Sequence, residues 1–191
     1  MLIPAVLLAL AIQAPDSLLR ERLDLPTARA VEAIVDSAVR AGLPGRPLIQ
    51  KALEGQTKGA AGPRIVAAVH LLYEGLGQAR AALGSEAADD ELQAGAIWLR
   101  SGGTVAQLIR MRRTAGTRPL TTVLTVSAEW LGRGWPAAEA SASLERLLRA
   151  DVPDTAFLTL RADVDRVARQ GAAVLPVLRE RVNRLAPVRN P

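Results

Sequence analysis

The feature that most constrains the fold is a short turn motif that recurs along the chain. In each copy a Gly or Asp is followed by a usually apolar residue and then by Pro, Ala or Val. The copies begin at Gly42, Gly59, Gly103, Gly134, Asp151 and Gly171. Glycine just past a helix end, with proline in the first turn of the next helix, separates consecutive helices in helical proteins. The motif therefore predicts an all-α fold of short helices joined by tight Gly/Pro turns.

The spacing of the motif indicates helix pairs. Gly42 and Gly59 stand 17 residues apart, and Asp151 and Gly171 stand 20 apart. Two helices in roughly 34 residues resemble helix-pair arrays such as the tetratricopeptide repeat. The Trp-Leu-Gly-Tyr pattern of that family is absent, side chains between copies do not align, and 84–116 interrupts the rhythm. We predict an array or irregular bundle of about seven to eight helices, with a true solenoid as the alternative.

Apolar periodicity places the clearest helices at 26–40, 63–83, 136–150, 153–170 and 172–185. Ser85 is a candidate helix cap, and Thr104 with Gln107 forms a candidate capping box. The segment 119–131 is rich in β-branched residues, so a β-strand is one possible structure for it. We favour a helix there because Leu120, Leu124 and Leu131 fall on one side.

Residues 1–14 carry no charged side chain and contain an unbroken apolar run. The run has the length of a secretory h-region and ends in small residues, so we predict a signal peptide and an exported protein, periplasmic or secreted. An uncleaved anchor and an N-terminal core helix are the alternatives. We expect residues 15–191 to form a single helical domain with a frayed tail at 186–191, and no transmembrane helix in the mature form.

The amino-acid composition limits the kinds of metal and catalytic site that the chain can form. The chain has no Cys, which excludes disulfides and thiolate metal sites, and it has a single His. His70 and Glu74 stand at i,i+4, a spacing that can support acid–base chemistry or a metal, but a structural histidine is the commoner role. Trp130 and Trp135 flank a Gly turn, where they can form an exposed patch or fill the core. We predict no metal, no cofactor and no catalytic residue.

The net charge of +5 is unevenly distributed. A candidate basic patch consists of Arg110, Arg112, Arg113 and Arg118. It suits a nucleic-acid footprint poorly because no aromatic side chain is interleaved. These arginines can instead complement a helix C-terminus or bind an anionic envelope component. The same alternatives apply to Arg179, Arg181, Arg184 and Arg189.

The loop from Gly55 to Arg64 is the most site-like stretch. Glycines before a helix N-terminus can offer N–H groups to an anion. The candidate binding residues are Lys51, Glu54, Lys58, Gly59, Gly62 and Arg64. The order differs from the phosphate-binding loop and no strand precedes it, so a helix-to-helix turn is the alternative.

The same region carries a resemblance. The segment from Pro47 to Gly59, followed by Pro63-Arg64-Ile65, is similar to a motif in uncharacterised exported helical proteins of high-GC bacteria. The resemblance covers about a tenth of the chain. It implies no known activity.

We therefore expect a non-catalytic, exported helical scaffold or adaptor that binds a protein or an anionic envelope partner. Its apolar stripes would accept a partner helix, and its basic rims would attract acidic partners. One alternative is a cell-envelope hydrolase that uses an isolated Glu, with Glu54, Glu74 and Glu129 as candidates. Another is a cytoplasmic basic helical binding protein.

Overall fold

The computed structural model describes residues 15–187, and within them every regular element is a helix. The ten helices are α1 (Pro15–Arg22), α2 (Leu25–Arg40), α3 (Arg46–Thr57), α4 (Gly62–Leu83), α5 (Asp89–Arg100), α6 (Val105–Ala115), α7 (Thr121–Gly132), α8 (Ala137–Arg149), α9 (Asp154–Arg169) and α10 (Val174–Leu185). The all-α prediction is confirmed, although the predicted number of helices was too low. None of the described helices combines the length and apolarity needed to cross a bilayer.

The chain divides between Leu71 and Leu72 into two compact units. In the first unit, α1, α2 and α3 pack against one another in every pairwise combination. Asp24 caps α2, because its carboxylate accepts from Thr27 N at 2.9 Å and from Thr27 Oγ1 at 2.7 Å. Such a cap contributes about 1 kcal/mol. Helix α1 precedes the first helix that apolar periodicity placed, at 26–40, and the predicted signal peptide lies outside the described residues.

The second unit is a two-layer stack. Helix α7 packs against α5 and α9, while α8 packs against α6 and α10. The odd-numbered helices α5, α7 and α9 therefore form one layer, and the even-numbered helices α6, α8 and α10 form the other. Contacts of α7 with α8 and of α9 with α10 join the layers. Helices that contact their second neighbours along the chain are typical of stacked helical hairpins.

The recurring turn motif is a helix C-cap. At each copy a backbone N–H donates to the carbonyl oxygen of the residue five positions earlier. Examples are Leu43 N to Ala38 O at 2.9 Å and Val152 N to Leu147 O at 3.1 Å. This bond defines the Schellman motif, in which the residue before the donor adopts a left-handed conformation. Asp151 takes that position with φ +50°, the one non-Gly residue with positive φ in the described part of the chain. The residue that follows the left-handed position is thus the donor that closes the helix.

A 32-residue repeat relates residues 80–106 to residues 112–138 in the second unit. Arg80 and Arg112 each donate from Nη1 to the carbonyl oxygen four residues ahead, that of Gly84 at 3.3 Å and that of Gly116 at 2.7 Å. Helices α5 and α7 begin at residues 89 and 121, and α6 and α8 begin at 105 and 137, again 32 apart. Identical residues stand 32 apart at Arg80 and Arg112, Gly84 and Gly116, Leu92 and Leu124, Ala96 and Ala128, Trp98 and Trp130, Leu99 and Leu131, Gly102 and Gly134, and Ala106 and Ala138.

This repeat corrects the expectation that side chains do not align and that 84–116 interrupts the rhythm. Trp98 and Trp130 are both buried, and the carbonyl of each accepts the N–H five residues ahead at 3.1 Å. Trp135 packs against Trp130 with ring centroids 5.1 Å apart. The two tryptophans at the Gly132–Gly134 turn therefore belong to the core.

Several local predictions have clear outcomes. The segment 119–131 is helical, as favoured, and the Thr104–Gln107 capping box is present. Ser85 does not cap α5, whose N-cap is Ala88. Two large apolar side chains in the helices predicted at 26–40 and 172–185, Val39 and Leu185, are 61% and 40% exposed. For Leu185 the reason is its place at the end of the last described helix.

Candidate binding surface

Three of the predicted binding residues form an ion cluster at the C-terminal end of α3. Glu54 accepts from Lys51 Nζ at 2.9 Å and from Lys58 Nζ at 2.5 Å. These hydrogen bonds, that from Lys58 most strongly, lower the pKa of Glu54 to about 2. Both ammonium groups thus already face a carboxylate, and Glu54 carries its negative charge throughout the physiological range.

The backbone of the 55–64 loop is engaged in helix capping. Gly59 N donates to Gln56 O at 2.9 Å, and Ala60 N donates to Gly55 O at 3.0 Å. Arg64 N donates to Ala61 O at 2.9 Å. N–H groups that close helix ends are not directed at a ligand. The anion site therefore stays a prediction without support from this loop geometry.

Gly62 has a packing role. A Cβ atom at Gly62 would lie 2.1 Å from Thr27 Oγ1 and 3.2 Å from a carboxylate oxygen of Asp24. The first turn of α4 thus packs directly on the cap of α2. Arg64 is exposed two residues further along α4. An acidic side chain stands beside this helix N-terminus, where negative charge is favourable.

The four arginines of the predicted basic patch point in different directions. Arg112 pairs with Glu91, and Arg118 pairs with Asp154 at 2.5 Å while also donating to Val152 O at 2.6 Å. These two side chains are only 19% and 21% exposed.

Arg110 and Arg113 are both exposed on α6. Arg110 Nε pairs with Glu145 at 3.1 Å, and no ion pair to Arg113 is seen among the described residues. Arg110 and Arg113 therefore share an outer face, whereas Arg112 and Arg118 hold loops together.

The outer face of the even-numbered layer brings Arg110 and Arg113 together with charged residues from α8 and α10. We call it the α8 surface; it comprises Arg110, Arg113, Ala138, Glu139, Ala142, Glu145, Arg146, Arg149, Arg179 and Asn183. Two contacts link α8 to α10 on this face. Arg179 Nη2 donates to Glu139 Oε2 at 2.7 Å, and Arg146 Nη2 donates to Asn183 Oδ1 at 3.1 Å.

An open cleft of about 390 Å³ lies between α8 and α10. It is lined by Glu139, Ala142, Ser143, Arg146, Arg179 and Asn183. The hydrogen bonds from Arg179 hold the pKa of Glu139 below its usual range, and Glu139 in turn raises the pKa of Arg179. The cleft is therefore charged, with arginine donors on both walls.

Sequence reasoning missed the residues that α8 contributes. The available signal was the spacing of Glu139, Ala142, Arg146 and Arg149, which repeats every three to four residues and so marks one helix face. The linear run of arginines on α6 was more conspicuous, but neighbouring residues on a helix do not share a face.

The candidate acid–base residues lie outside the α8 surface. His70 and Glu74 are exposed on α4, and Glu129 pairs with Arg161 at 2.9 Å. Among the residues that the structure describes, no group of three or more His, Asp or Glu is placed to hold a metal.

Comparison of the chain with protein-family models, with curated proteins and with solved structures finds no significant match.

Proposed function

We propose that the protein is a non-catalytic helical scaffold that binds a partner protein on the outer face of its stacked hairpins. The observation that carries this proposal is the 32-residue repeat, by which α4–α5 and α6–α7 reuse the same arginine, glycine and tryptophan positions. Stacked hairpins create extended surfaces, and proteins built from them commonly use those surfaces for binding.

The central helices of the stack support this proposal. On α7, only Thr125 and Gly132 are exposed, while Trp130 and six further residues are buried. Buried side chains maintain the stack, so variation at the surface positions has little effect on folding. A scaffold of this kind separates its folding residues from its binding residues.

The hydrolase alternative fares less well on physical grounds. A general acid needs a pKa near the working pH. The pKa of Glu54 is about 2, so this group holds no proton to donate at neutral pH. Glu129 is paired with Arg161 across α7 and α9.

We propose in addition that the scaffold works outside the cytoplasm, after removal of an N-terminal segment that ends at Ala11 or Ala14. The support is the uncharged apolar run at the N-terminus. Sequencing the N-terminus of protein purified from its own cells tests this step. A mature chain that starts at Ile12 or Pro15 supports export, and an intact Met1 in the cytosolic fraction contradicts it.

Site-specific photo-crosslinking tests the scaffold function. A benzophenone side chain replaces Ala106 on α6, Thr125 on α7 or Leu158 on α9, all exposed positions. We expect at least one position to give a reproducible adduct with one protein in the cells that make this chain. The absence of adducts from all three positions, in protein that is folded by circular dichroism, would overturn the proposal. Loss of a cellular phenotype in a folded Glu74→Gln or Glu129→Gln variant would favour the hydrolase.

A further inference from the structure

We propose that the α8 surface docks an acidic helical segment of a partner protein. This inference rests on the proposed scaffold function and specifies the surface and the chemistry of the partner. Three features support it: the charge of the two layers, the burial of the carboxylates beneath the arginines, and the shape of the face between them.

The two layers of the second unit carry opposite charge. Helices α6, α8 and α10 contain eight arginines and three carboxylates, a net charge of +5, which is still +4 without Arg112, the arginine that turns inward to Glu91. Helices α5, α7 and α9 contain four arginines and seven carboxylates, a net charge of −3. A surface with an excess of one sign attracts a partner of the opposite sign and raises its association rate. The even-numbered layer therefore selects for an acidic partner.

The ion pairs of this layer leave the positive ends outermost. Glu145 is 12% exposed and accepts from Arg110 and Arg149, which are 52% and 61% exposed. A second carboxylate, Glu139, is 33% exposed beneath the 50% exposed Arg179. One guanidinium has five N–H donors. Arg149 uses only Nη2 in the bond to Glu145, so further donors can bind a carboxylate from outside.

The face between the arginines is shallow and made of small side chains. Ala138 and Ala142 are exposed along the middle of α8. Arg110 and Arg113 lie on the α6 side of this row, and Arg146 and Arg179 lie on the α10 side. From residue 138 to residue 149, α8 rises about 16 Å, the length of three turns. Short side chains let a second helix approach closely, and carboxylates on both of its flanks would meet the two arginine groups.

An acidic helix fits this face better than a lipid surface. Membrane-surface helices insert large apolar side chains beside their basic residues. The exposed large apolar side chains of the described residues are Leu25, Val39, Leu71, Leu158 and Leu185. Of these only Leu185, the last residue of α10, lies on a helix of this layer, and it is not among the residues of the α8 surface. The α8 surface therefore offers charge complementarity without residues for insertion.

A designed peptide tests the proposal on the full-length protein. The probe is a fluorescent alanine-based helix with glutamates at heptad positions e and g, on both flanks of an alanine face; its control has glutamine at those positions. We expect binding of the glutamate peptide, measured by fluorescence anisotropy, that weakens as salt rises. The Arg113→Glu/Arg149→Glu variant should bind about tenfold more weakly, because each exposed pair contributes up to about 1 kcal/mol.

Two matched variants separate this surface from charge alone. Arg100→Glu/Arg169→Glu makes the same change in charge at exposed positions of α5 and α9 and should leave peptide affinity within about twofold of the parent, as expected for distant sites. Ala142→Trp keeps every charge and should block the peptide helix sterically. It should weaken peptide binding about as much as the Arg113→Glu/Arg149→Glu variant does. Circular dichroism checks that each variant is folded.

The proposal is overturned if both charge reversals weaken binding equally, if the glutamine peptide binds as well, or if Ala142→Trp has no effect. Binding to phosphatidylglycerol vesicles without binding to the peptide would also overturn it, in favour of a lipid partner. Its failure differs from failure of the scaffold function: crosslinks from Thr125 or Leu158 but not from Ala106, one turn before Arg110 at the edge of the α8 surface, would keep the scaffold and discard this surface.

Discussion

A largely buried ion pair between Arg112 and Glu91 joins α6 to the first turn of α5. The two side chains are 19% and 7% exposed, and the same Glu91 oxygen accepts from Leu120 N at 2.7 Å. Arg112 also donates to Gly116 O and Arg118 O. One arginine and one carboxylate thus organise the loop that leads into α7.

Removing Arg112 should strongly destabilise the fold. Arg112→Ala leaves the Glu91 carboxylate buried without its cation, a change that typically costs about 3–5 kcal/mol. The free energy of unfolding from urea titration measures the loss. Arg113→Ala is the matched control, because Arg113 is exposed, and should change stability by less than about 0.5 kcal/mol. Similar losses in the two variants would show that the pair has no special role. Glu91→Leu/Arg112→Met, which removes both charges, should recover much of the stability.

The left-handed C-cap residues should respond to substitution according to φ. Gly134 has φ +88°, so Gly134→Ala should destabilise by about 1–2 kcal/mol. Asp151→Gly should stabilise by roughly 0.5–1 kcal/mol, because glycine adopts φ +50° without a steric penalty. Gly132 is the control: it is helical without a positive φ, and an added Cβ meets no atom within 4 Å. The melting temperatures of the three variants, measured by thermal unfolding, rank their stabilities. A lower melting temperature for Asp151→Gly than for the parent would contradict the assignment of this turn.

Gly62 should be sensitive to a single methyl group. Gly62→Ala places Cβ 2.1 Å from Thr27 Oγ1, and overpacking of this kind costs about 1–3 kcal/mol. In a Thr27→Ala background the same change should cost less, since the nearest remaining Thr27 atom, Cβ, lies 3.4 Å away. A double-mutant cycle in urea measures the coupling. Additive effects would mean that α4 does not pack on the cap of α2 in solution.

Acid should weaken the fold below the ordinary pKa of glutamate. The pKa of Glu54 is lowered from 4.5 to about 2 by Lys58 and Lys51, and the pKa of Glu139 is lowered by Arg179. A carboxylate with a lower pKa in the folded state contributes stability that is fully present above its unfolded pKa. That contribution is lost as pH falls toward the folded value.

Titration of the Glu54 carboxyl carbon by NMR measures this directly. We expect a midpoint near 2 in the parent protein and a midpoint closer to 4.5 in Lys51→Met/Lys58→Met. The Glu139 carboxyl, whose pKa is lowered by Arg179 and not by either lysine, serves as the reference, and its midpoint should be the same in both proteins. A Glu54 midpoint that does not move when both lysines are replaced would contradict the ion cluster.

Much of the helical framework was accessible from sequence because it rests on local chemistry. The capping box of α6 needs only Thr104 and Gln107, three residues apart, and the Schellman turns need a residue that tolerates positive φ, such as Gly134. These interactions span at most six residues, so the linear pattern contains them. Helix α1 escaped prediction because its polar sequence has a weak apolar stripe.

The repeat escaped prediction for a different reason. Its identities are sparse, and several are structural positions such as Gly84 and Gly116 whose equivalence depends on the arginine bonds to their carbonyls. Trp98 and Trp130 are followed five residues later by Gly103 and Trp135, which differ greatly in size. Side-chain comparison therefore obscured a correspondence that the backbone hydrogen bonds reveal.

The sequence alone determined that the chain is helical, where most helices end, and that its surface is rich in arginine, because each depends on composition or on contacts within one or two turns. Only the tertiary structure decided which arginines are available. Adjacent helix residues point about 100° apart, so Arg112 turns inward to Glu91 while Arg110 and Arg113 face outward. The α8 surface joins residues up to 73 positions apart in the chain, from Arg110 to Asn183, because stacking places α6, α8 and α10 side by side.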